Sequence, residues 1–140
     1  MDPNWKKAQE KVKKMFKAHE GLRKDFWFKE FTDTYQAQGT IVQDQPSDMW
    51  YLDSGQFGLI EIKTNEQARF PFKDIRPSQI AGAMRCLAAG GVSTFLICKL
   101  PEWQWHFVDG QTILDMRRNG DKSMKWADMH AITLKVENIL

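Results

Sequence analysis

Cysteine is scarce in this chain: Cys86 and Cys98 are the only two among 140 residues. They stand in no metal-ligand or redox spacing, which argues against a disulfide scaffold, a zinc ribbon and a dithiol catalyst. Both read as buried free thiols of a reducing compartment. The expected location is therefore the cytoplasm, or an infected host's cytoplasm if the chain is phage-encoded. Long apolar runs are missing too: none approaches the roughly 20 residues of a membrane span. The opening "MDPNWKKAQE" does not read as a secretory signal. His19, His106 and His130 show no ligand spacing, so zinc chemistry is not expected. No P-loop, Rossmann glycine pattern or nucleophile elbow occurs. Nor is there a large excess of one charge. A net +2 does not by itself announce a nucleic-acid binder.

What is present is enough for one domain over residues 1–140 with a sizeable core. Residues 4–19 place Trp5, Ala8, Val12, Met15, Phe16 and His19 close to a single stripe and predict a helix. Asp2 and Pro3 suit its start and Gly21 its stop. Residues 25–32 are aromatic-rich and predict a strand, with an irregular polar segment after it. Strands follow at 48–53 and 57–63, joined by the turn-rich "DSGQ". Residues 75–89 suit a helix with Pro77 in its first turn and Gly90-Gly91 at its end. "VSTFLICKL" is a continuous apolar run, as in a central buried strand. "WQWHFV" alternates like a further strand, in which Trp103 and Trp105 suit packing or base stacking. A helix is expected near 111–118, and the pattern weakens beyond it. This order gives an α/β fold, a central mixed sheet flanked by helices.

The stretch "PSDMWYLDSGQFGLIEIKT" (46–64) carries most of the chemistry. A turn centred between Ser54 and Gly55 sets Asp48 opposite Glu61, and directly opposed residues share a sheet face. Glu61 and Lys63 are two apart and share it as well, while Ile60 and Ile62 point into the core. Two convergent carboxylates raise each other's pKa unless a cation joins them. A hard divalent ion such as Mg²⁺ takes oxygen ligands and keeps several waters. A lysine beside it can orient a water or stabilise charge growing on a phosphate oxygen. The same residues are also compatible with a surface salt bridge of little energetic weight.

"PSD", twelve further residues and then "EIK" on an apolar strand resembles the signature of the PD-(D/E)XK nuclease superfamily. The order of elements is similar to that superfamily's restriction-endonuclease-like core. Downstream, "RFPFKDIRPSQIAGAM" resembles the RecU-type Holliday junction resolvases, with the phage-encoded, Hjc-like resolvases a close second comparison. The resemblance implies a metal-dependent endonuclease acting on branched DNA as a homodimer, with Mg²⁺, or Mn²⁺ in its place, as cofactor. Trp5 on the first helix, or the aromatics of 26–31, are candidates for the dimer interface. The resemblance implies that Asp48 and Glu61 hold the metal, that Lys63 is the catalytic lysine and that Gln79 supports the site. It also implies one more acid from the first helix, Glu10 preferred over Glu20, although "NWKKAQE" departs from the family's glycine-led pattern there. Asp33 is a further candidate near the strand ends, or a turn cap. Arg69, Lys73 and Arg76 are the expected phosphate contacts. Two other readings stay open: a repair or restriction-like nuclease for duplex ends, nicks or flaps, and a non-catalytic DNA-binding protein.

Overall fold

The computed structural model describes residues 3–31 and 45–140, so Asp33 lies outside the described residues. The apolar stripe of the first segment folds as α1 (Pro3–Leu22), which buries Ala8, Val12 and Phe16 at helical spacing. Side chains the size of Val12 and Phe16 contribute about 1.5–3 kcal/mol each by such burial. The helix runs through Gly21 rather than stopping there. The Arg23 N–H still reaches the His19 carbonyl at 3.0 Å, so the helical bonding continues across the glycine.

After β1 (Phe26–Glu30), the predicted hairpin forms from β2 (Met49–Asp53) and β3 (Gln56–Asn65). Its corner residues Ser54 and Gly55 have φ of 49° and 86°. Left-handed conformations at both positions give a two-residue turn whose twist matches the strands. That turn fixes the register: Asp53 pairs with Gln56, and Met49 with Ile60, as the sequence predicts. Gly58 faces Tyr51 across the ladder. The buried Tyr51 ring lies over it so closely that any Cβ would collide.

A short β4 (Arg69–Pro71), which the sequence does not separate from the Phe-Pro-Phe segment, leads through a 3-10 turn (Phe72–Asp74) into α2 (Pro77–Ala88). The chain returns as β5 (Val92–Lys99), parallel to β3, and then β6 (Gln104–Asp109), antiparallel to β5. The helix α3 (Gly110–Arg118) starts at Asp109, whose carboxylate accepts the Gln111 N–H. Where the pattern is weak, two three-residue strands form. β7 (Ser123–Lys125) pairs with β4, and β8 (His130–Ile132) pairs with β6.

The main sheet has the order β1-β2-β3-β5-β6-β8, with β3 and β5 its parallel neighbours. One face packs Ile60, Ile62, Leu96 and Cys98 against the α1 stripe. The other packs Phe95, Ile97 and Val108 with residues of α2 and α3. β5 is thus covered on both faces, which is why it reads as an unbroken apolar run. The mixed sheet flanked by helices is the expected architecture. Trp103 departs from expectation: it lies between β5 and β6 with φ of 56° and packs against the core, with the Lys11 ammonium 5.5 Å from its ring centroid. Trp105 is buried, so the two do not form a stacking platform. Among the described residues no helix is long and apolar enough to cross a membrane.

Candidate active site

Asp48 stands one residue before β2, where the hairpin ladder ends. Its N–H donates to the Ile60 carbonyl at 3.1 Å, and its own carbonyl accepts from the Phe31 N–H at 2.9 Å. Its carboxylate Oδ2 accepts the Ile62 N–H at 2.7 Å. A side chain, rather than the opposite strand, therefore satisfies that backbone donor. On β3, Ile60 and Ile62 enter the core beneath α1, while Glu61 and Lys63 face α2. Because α2 covers that face, Glu61 is only 3% exposed and Asp48 only 8%. The surface salt bridge that spacing alone allowed is replaced by a buried cluster.

Gln79 closes the cluster from the first turn of α2. Its Nε2 donates to Glu61 Oε1 at 2.8 Å, and its Oε1 accepts from Lys63 Nζ at 3.0 Å. The same Oε1 accepts the Arg76 N–H at 2.9 Å, so one amide caps the helix and ties it to both β3 residues. Lys63 Nζ also lies 3.5 Å from Glu61 Oε1. Sequence reading misses one contributor. The Trp5 indole of α1 donates to the Ile62 carbonyl at 2.9 Å, so the Ile62 peptide is held by Asp48 on one side and Trp5 on the other. Trp5 is thus half-buried against β3. Its place on the stripe with Ala8 and Val12 was the available signal.

Burial dominates the electrostatics. It pushes the Asp48 carboxyl up from the usual range, opposed by hydrogen bonds from Glu61 and the Ile62 N–H and by the charges of Lys63 and Arg76. Glu61 is pushed well above that range, first by burial and then by the neighbouring Asp48 charge, with Lys63 and Arg76 only partly offsetting this. Burial and mutual repulsion thus bias this pair toward taking up a proton. Glu61 Oε2 is buried without a hydrogen-bond partner. An orphaned oxygen beside a second carboxylate, next to a lysine and a carboxamide, is a donor set for a hard divalent cation. No group of three or more His, Cys, Asp or Glu converges among the described residues. Further ligands would be main-chain, water or phosphate oxygens.

Asp48, Glu61, Lys63 and Gln79 are thus brought together; the candidate acids of the first helix are not. Glu10 is exposed and lines a surface concavity with Lys6, Lys7, Lys11 and Lys14. The helix turns Gln9, not Glu10, inward, because Gln9 is the residue next to Ala8 and one turn before Val12 on the buried stripe. Glu20 Oε2 accepts the Phe28 N–H at 3.1 Å and so ties α1 to β1 instead. Of the basic residues, Arg76 is exposed at the start of α2, close enough for its charge to act on both carboxyls. Lys73 is exposed in the preceding 3-10 turn. Arg69 is on β4, its Nε donating to Ser123 Oγ at 2.7 Å.

No protein-family model matches the chain, and no curated protein matches it. Among solved structures, the fold is similar to that of Archaeoglobus fulgidus Hjc, a Holliday junction resolvase from an archaeal hyperthermophile. The TM-score is 0.55, covering 93% of this chain and 95% of that one, at 14% sequence identity. The architecture is therefore the fold seen in Hjc, a restriction-endonuclease-like mixed sheet of six strands flanked by helices.

Proposed function

We propose that this chain is a divalent-metal-dependent endonuclease that hydrolyses phosphodiesters in branched DNA, with four-way junctions as its substrate. The observation that carries the reading is the buried Asp48–Glu61 pair, joined through Gln79 to Lys63, on a fold shared with a Holliday junction resolvase. A bound Mg²⁺, or Mn²⁺ in its place, supplies Lewis-acid activation of water and of a phosphate oxygen. Asp48 and Glu61 would hold that ion through their carboxylate oxygens. Lys63 presents its ammonium to the attacking water or to the charge growing on the phosphate. Gln79 keeps Glu61 and Lys63 from collapsing into a tighter ion pair. Arg69, Lys73 and Arg76 contact flanking phosphates and set the register of the DNA. Cutting two strands of a junction symmetrically takes two sites, so the working form is a two-fold homodimer.

The test is cleavage of a synthetic four-way junction beside a linear duplex of the same sequence, with and without Mg²⁺. Junction-selective, metal-dependent cutting is expected. Asp48→Asn and Lys63→Ala should each lower the rate by roughly 10²–10³-fold while binding persists. Equal cutting of both substrates would favour the repair or restriction-like reading. Tight binding without cutting by the unaltered protein would leave a DNA-binding protein.

A further inference from the structure

A concavity lies away from the carboxylates, between α2 and the C-terminal end of α3. It is a groove of about 920 Å³, within the size range of natural ligand clefts. Its rim carries Lys73, Arg117, Arg118 and Lys122, with Asp121 as the one acid. All four cations are exposed, and none forms a salt bridge with another described residue. Like charges gathered without acid partners repel one another, so their arrangement favours an anionic occupant. The rest of the lining is largely apolar, with Phe72, Ile75, Ile80 and Leu114 among it. Met84 lines the groove and is 55% exposed, an unusual state for a large apolar side chain beside so many charges.

The groove adjoins the candidate active site. Pro77 and Ile80 line it from the same helical turn whose Gln79 reaches Glu61. Lys73 enters it from the segment just ahead of Arg76. Lys73 and Arg76 thus stand just ahead of the α2 turn that both the groove and the carboxylate cluster use. The concavity is lined by methionine, proline and isoleucine as well as by cations, which suits sugar faces between phosphates.

We infer that this groove is a second DNA-contact surface, holding the sugar–phosphate backbone of an arm that leaves the Asp48–Glu61 site. The inference rests on the nuclease reading for its ligand, but binding tests it without any cleavage. The variant is Arg117→Ala/Arg118→Ala/Lys122→Ala; all three residues are exposed, and alanine preserves the helix. Its control is Lys6→Ala/Lys7→Ala/Lys14→Ala, which removes the same charge from exposed positions on α1, across the sheet. Fluorescence anisotropy with a labelled synthetic four-way junction, in metal-free buffer from about 50 to 200 mM salt, gives affinity and salt slope. Thermal melts confirm that both variants are folded.

The groove variant should bind on the order of tenfold to a hundredfold more weakly at 0.1 M salt. Its slope of log affinity against log salt should flatten by about 3, one for each phosphate that the variant no longer neutralises. The control should lose much less. Equal losses in the two variants would mean that net charge acts without a docking surface, and unchanged affinity in the groove variant would mean that the groove takes something other than DNA. Either outcome overturns the inference. Absence of cleavage by the unaltered protein alongside a groove-dependent affinity would instead overturn the nuclease reading and leave the groove standing.

Discussion

Gln79 is the residue on which the candidate site turns. It is 3% exposed, and its carboxamide meets Glu61, Lys63 and the Arg76 N–H at once. A carboxamide provides both the donor that Glu61 needs and the acceptor shared by Lys63 and the helix end. Removing it leaves buried polar groups unmatched, each a loss of about 1–3 kcal/mol. Gln79→Ala should therefore lower stability by about 2 kcal/mol or more in urea unfolding. Gln79→Glu keeps the acceptors but sets a third carboxyl where Nε2 now lies 2.8 Å from Glu61. In metal-free protein at about pH 8 it should be less stable than Gln79→Ala, and the gap should close on acidification as the carboxyls take up protons.

At the scale of an element, the hairpin does the positioning. Its two-residue turn leaves no freedom of register, and a slip of one residue would send Glu61 and Lys63 to the α1 face. Tyr51 over Gly58 locks the same register from within, since the ring occupies the space of a missing side chain. Gly58→Ala should destabilise the fold by about 1–3 kcal/mol through overpacking. Because the collision falls on a buried ring between two paired strands, the loss should be accompanied by a drop in cleavage greater than the unfolded fraction explains. Melting temperature and single-turnover rate, measured on the same sample, check this. The left-handed corner also accounts for the sequence "DSGQ": serine tolerates φ of 49° at modest cost, and glycine takes 86° freely.

For the whole molecule, the buried carboxyl pair makes stability depend on pH. Both carboxyls have folded-state values raised above their unfolded ones. The native state then binds more protons than the unfolded state above about pH 4. Stability is fully present below that and is lost as pH rises through the folded values, by at most about 1.4 kcal/mol per pH unit for each group. His106 acts in the opposite sense, because burial lowers its value; its contribution is lost as pH falls below about 6.5. The difference between the unaltered protein and Glu61→Gln isolates the carboxyl. Glu61→Gln should melt higher than the unaltered protein at about pH 8 without metal, by a margin that narrows toward about pH 5. Saturating Mg²⁺ should raise the melting temperature of the unaltered protein more than that of the variant. Thermal melts across pH, with and without Mg²⁺, decide both points.

Sequence alone determined the order of the longer elements, the hairpin register and the company of Asp48, Glu61 and Lys63. Each follows from local rules: the period of apolar residues, the chemistry of a four-residue turn, and the alternation of a strand. Tertiary structure decided what those residues experience. Only the packing of α2 across the sheet converts an apparent surface pair into a buried one, and it sets Gln79, which the resemblance named, against Lys63 sixteen residues before it. Only the packing of α1 shows that Trp5 holds the Ile62 carbonyl while Glu10 points to solvent, because a one-residue change of helical phase separates an inward side chain from an outward one. The groove beside α3 was not legible either, since Lys73 and Arg117 are distant in the chain and meet only when two helices share a face.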